Sequence, residues 1–137
     1  MMAARDDVMD FLRKSFQGKG DAVVGLIDRM VRPGREAAKF QLDLLLGILR
    51  DLLLLQQASD EDLVVNIDQI ETLQKFGAKL PDARIDLMIR SVEQTIFIVE
   101  RNVNLRLAMI TLSRSLGAAM HGREDAVASL DLVDSAG

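Results

Sequence analysis

The chain has 137 residues, 49% of them hydrophobic and 4% aromatic, with no Trp, Tyr or Cys and a formal net charge of −4. That length supports one domain with a real core rather than two, and the missing cysteines exclude disulfides and thiolate metal sites. An acidic balance provides no global basic field, so composition does not support autonomous nucleic-acid binding.

With so few aromatics, Leu, Ile, Val and Met must fill the interior, a palette suited to helix-on-helix packing. The spacing predicts a first helix over residues 4–17, with Val8, Met9, Leu12 and Phe16 on one side. Gly18 and Gly20 stop it. Asp21 is the expected N-cap of a second helix over residues 22–31, with Val23, Val24, Ile27, Met30 and Val31 inward. Pro33-Gly34 signals a turn.

From Arg35 the chain enters its most apolar stretch, and ten of the seventeen residues from Gln41 to Gln57 are Leu or Ile. The apolar arc is much wider than the stripe of roughly 100° on an ordinary surface helix. This helix is expected to be the central one, with the largest buried fraction. Its charges interrupt it too often for a membrane span. Asp43, Gly47, Arg50, Asp51 and Gln57 share its polar side, and Leu54 falls among them.

Residues 58–66, with the acidic run Asp60-Glu61-Asp62, read as a solvated turn. A fourth helix fits residues 66–79. Pro81 at a first helical position, followed by Asp82, would start a fifth. Its stripe is Ile85, Met88, Ile89, Val92, Ile96 and Val99, and Phe97 lies opposite. Asn102-Val103-Asn104 interrupts it before a sixth helix carrying Leu105, Ala108, Met109, Leu112 and Leu116. Beyond Gly117 the residues turn small and acidic, and a frayed tail or a short helix over 123–130 is expected. The fold class is therefore all-α, a single bundle of five to six helices. Residues 1–34 lead in, 35–117 form the core, and 118–137 form the tail.

No arrangement of residues carries catalysis. Gly18-Lys19-Gly20 lacks the spacing of a phosphate-cradling loop. The single His121 has no second ligand nearby, and the acidic run lacks the Gly and Glu positions of a calcium loop. No nucleophile has a base beside it. A non-enzyme without catalytic, cofactor-binding or metal residues, and without a cofactor, is expected. The residues before Val8 hold no apolar signal core, so a cytoplasmic location is expected.

Two polar features stand apart: Arg50-Asp51 inside the leucine-rich helix, and Asn102 through Leu107 at the last junction. An Asn there suits a helix cap. Arg106 does not suit the first turn, because a cation opposes the macrodipole. It calls for an acidic partner, and Asp51 on the central helix is the expected one.

Leu49-Arg50-Asp51-Leu52-Leu53-Leu54 resembles the W-x-R-D-L-L segment of bacterial clamp-loader subunits. Asn102-Val103-Asn104-Leu105-Arg106-Leu107-Ala108 resembles their N-x-N-P-R-L-A-L-E ending. Leu105 stands where Pro is usual, Ile110 where Glu is usual, and no Trp precedes Arg50. The resemblance is to the C-terminal helical domain of the DNA polymerase III delta-prime, or gamma/tau, subunit, over about residues 35–117. It implies a collar-like assembly domain acting in DNA replication, whose partners are the other clamp-loader subunits, gamma/tau and delta. No direct nucleic-acid contact and no membrane partner are expected. Arg50, Asp51, Leu54, Phe97, Asn102, Asn104 and Arg106 are the candidate interaction and structural residues, and apolar groups off the core face imply self-association of the isolated chain. A free-standing adaptor that binds a partner helix is the alternative.

Overall fold

A computed structural model describes residues 2–57, 67–101 and 104–123. Six helices follow in order: α1 Met2–Gln17, α2 Gly20–Val31, α3 Arg35–Gln57, α4 Ile67–Ala78, α5 Ile85–Val99 and α6 Leu105–Met120. The molecule is an all-α bundle, with no strand among the described residues. One core takes side chains from every helix, including Phe11 and Leu12 of α1, Ile27 of α2, Leu49 of α3, Leu73 of α4, Met88 of α5 and Leu112 of α6.

The largest buried fraction belongs to α6, not α3, although α3 is central in the sense of packing on four helices, α1, α2, α4 and α5. Ten of the sixteen residues of α6 are buried, from Ala108 to Met120, and it packs on α1, α2 and α5. The longer α3 buries Ala38, Gln41, Leu42, Leu45, Leu46, Ile48, Leu49 and Leu52. Small side chains explain the difference: Ala108, Thr111, Ser113, Ser115, Gly117 and Ala119 let neighbouring helices approach closely. Gly117 sets the limiting distance, since a methyl group there would stand 2.7 Å from the backbone oxygen of Ser15. This glycine therefore serves helix contact and does not end α6, which runs on to Met120. Above that contact the hydroxyls of Ser15 and Ser113 share a buried hydrogen bond of 2.7 Å.

Two helix starts differ from the periodicity reading. Lys19, not Asp21, is the N-cap of α2, because the Val23 N–H already donates to the Lys19 carbonyl at 3.2 Å. Asp21 lies in the first turn, where its charge complements the helix dipole. Pro81-Asp82 belongs to a turn, and α5 begins only at Ile85. A tertiary bond holds that turn open, the Arg84 N–H donating to the carbonyl of Ala119 at 2.8 Å at the end of α6. Inward positions also shift slightly: Leu26 and Phe11 are buried, whereas Phe16, Val24 and Val31 are half-buried. Gln41 ties α3 to α2, its buried amide donating to the carbonyls of Met30 at 2.9 Å and Ala37 at 3.1 Å.

The acidic run 60–62 and the expected helix over 123–130, past its first residue, lie outside the described residues. None of the described helices is long and apolar enough to cross a membrane.

Candidate association face

The outward side of α3 is a regular strip. Phe40, Asp43, Gly47, Arg50 and Leu54 are all exposed, and their alternating spacing of three and four residues is that of a coiled-coil seam. Phe40 is 49% exposed and Leu54 37%. Gly47 sits in the helix interior, where glycine costs about 0.5–1 kcal/mol relative to Ala. A methyl group at Gly47 would meet no atom within 4 Å, so no contact inside the molecule requires the glycine.

Helix α5 extends the strip. Lys39 pairs with Glu100 at 3.5 Å and Arg50 with Glu93 at 3.8 Å. The earlier residue of α3 meets the later one of α5, so the two helices run antiparallel. Phe97 lies between Glu93 and Glu100 on that side of α5, 49% exposed, opposite the part of α3 that holds Phe40, Asp43 and Gly47. The Arg101 guanidinium covers its ring at 3.0 Å from the centroid and donates to the Phe97 carbonyl at 2.8 Å. The face is thus two aromatic rings and a leucine set among paired charges, with a gap at Gly47.

The other sequence-predicted residues do not join it. Asp51 is half-buried, and its carboxylate is near enough to Arg5 of α1 to interact with its charge. Burial pulls the Arg5 guanidinium below its usual value, and the nearby carboxylates of Asp51 and then Asp6 oppose that shift. Asn104 caps α6, its side chain accepting from the Leu107 N–H at 3.0 Å. Asn102 lies outside the described residues. Arg106 pairs with Asp28 of α2 at 2.7 Å, not with Asp51. The reason is packing, because the start of α6 runs beside α2. Periodicity alone missed Phe40 and the 48% exposed Leu107, although the seven-residue step from Phe40 through Gly47 to Leu54 is visible in the sequence.

Clefts lined by described residues open away from this face. An apolar one of about 230 Å³ lies between α3, α4 and the start of α5, with Leu52, Leu73, Leu80 and Met88 among its walls. Another, of mixed polar and apolar lining and about 610 Å³, opens between α1, α2 and α6. His121 borders it, stacked on Phe16 with ring centroids 4.6 Å apart and its Nε2 3.1 Å from the Phe16 carbonyl, which it serves as donor. Among the described residues no group of three or more His, Asp or Glu could hold a metal ion. No family model, curated protein or solved structure matches the chain.

Proposed function

We propose that this chain is a subunit-association domain of the clamp-loader collar type, acting in assembly of a DNA polymerase III clamp loader through the α3–α5 face. The exposed interior glycine carries the reading. Gly47 weakens its own helix and serves no internal contact, which is intelligible if a partner backbone approaches there between Phe40 and Leu54. The sequence segments Leu49–Leu54 and Asn102–Ala108, which resemble the clamp-loader motifs, support the particular machine. Their residues Arg50 and Leu54 lie on this face, while Asn104 and Arg106 shape the start of α6. The partners are the helical domains of gamma/tau and delta subunits, and in their absence a second copy of the chain covers the strip.

The test is co-sedimentation of the full chain with clamp-loader gamma/tau and delta subunits, alongside light scattering of the chain alone. Complex formation that Leu54→Glu or Phe97→Glu abolishes, with helical content and the Tm of dilute samples unchanged, is the expected result. Failure to bind either subunit would reject the clamp-loader assignment. A strict monomer at high micromolar concentration would reject the association face as well.

A further inference from the structure

The larger cleft, between α1, α2 and α6, lies away from the association face. Among the described residues its lining carries Lys14, Lys19, Arg114, Arg123 and His121, and no Asp or Glu side chain. That is a local inversion in a chain with 21 acidic residues against 17 Lys and Arg. Lys19, Arg114 and Arg123 form no ion pair with another described residue, and Lys14 has only a loose contact to Asp10 at 3.7 Å.

We propose that this cleft binds a small phosphoryl-bearing anion, a diphosphate or a phosphate ester. Cations lining a concavity with low-dielectric walls focus a positive potential into it. Four formal positive charges around one space match a ligand of two or more negative charges better than a single carboxylate. Arg114 and Arg123 supply planar forks that take phosphoryl oxygens two at a time, while Lys14 and Lys19 act as point charges. Neutral donors stand beside them. The first turn of α2 begins at the wall with no side chain capping its N–H groups. The tight turn at Gly18, with φ +71°, brings Lys19 round to the same side as Lys14. About 610 Å³ falls within the roughly 300–1,000 Å³ of small-molecule sites, so the ligand carries more than a bare phosphate.

The test titrates the full chain with pyrophosphate by calorimetry at low salt and follows backbone amides by NMR. Saturable binding is expected, with shifts confined to residues 14–23 and 110–123. Arg114→Ala and Lys19→Ala should each weaken it about tenfold, the loss of one charge-assisted contact. Arg90→Ala, which removes an exposed cation of α5 outside the cleft, should leave it unchanged. Parallel arms with inorganic phosphate and a nucleoside diphosphate separate the sources. Comparable binding of both diphosphates assigns the phosphoryl groups as the recognised element, and tighter nucleoside diphosphate binding makes the ligand a nucleotide. No saturable binding, binding indifferent to both cleft variants, or a response only to an oligonucleotide would each overturn the proposal.

Discussion

Leu49 has no exposed surface, and trimming it should cost stability in proportion to the cavity left. Leu49→Ala is expected to lose about 2–5 kcal/mol in urea denaturation, against a few tenths for Leu54→Ala on the outer strip. Gly117→Ala works in the opposite sense, by overpacking. The added methyl would press on backbone rather than on a side chain that can swing away, so a loss of about 1–3 kcal/mol is expected. Arg106 and Asp28 are both about half exposed, so their double-mutant cycle should return about 0–1 kcal/mol. The corresponding cycle of Arg106 with Asp51 should return zero within error. At the start of α5, hydrogen bonds from Arg84 at 3.1 and 3.2 Å hold the Asp86 carboxyl below its ordinary range, with burial opposing only in part. A lowered folded-state value means stability present above the ordinary pKa of about 3.9 and lost as pH falls through the folded one. Asp86 is largely exposed, so Asp86→Asn should cost less than about 1 kcal/mol at neutral pH, and the gap to the parent chain should close in acid.

Among the helices, the association strip separates two effects that usually move together. Gly47→Ala should raise the stability of the monomer by about 0.5–1 kcal/mol, because the methyl meets open space, and should weaken association if a partner backbone closes on that position. Thermal unfolding of dilute samples and sedimentation of concentrated ones read the two separately. The helices themselves were legible in the sequence, since the apolar spacing and the Pro33-Gly34 turn place all six within a few residues. What escaped the pattern depends on neighbours. The deep burial of α6 rests on Ser, Thr, Ala and Gly, which carry no hydrophobic signature until another helix lies against them. Arg106 announced its need for a carboxylate but not which helix would bring it. The true start of α5 depends on the Arg84 N–H reaching Ala119, a bond no local rule contains. Of the candidate face, Leu54 and Phe97 could be read from the wheel as apolar groups off the core side. That Phe97 of α5 shares a surface with Phe40 and Gly47 of α3 needed the antiparallel ion pairs of the two helices.

For the molecule as a whole, the association reading makes apparent stability depend on concentration. Anything that binds only the folded chain stabilises it by mass action, so Tm should rise with protein concentration and fall back in Leu54→Glu. The seam between α1 and α6 has a further meaning. Ser15 and Ser113 touch across 98 positions of sequence, so the first and last described helices meet only after nearly the whole chain has closed on itself. Such non-local contacts slow folding, because the entropy of the closure must be met before the contact returns anything. The same seam is a place to staple the fold. The chain has no cysteine of its own, so Ser15→Cys with Ser113→Cys can form only one intramolecular disulfide. A loop that long should bring the crosslinked form about 4–5 kcal/mol of stabilisation and a large gain in refolding rate, both reversed by reductant.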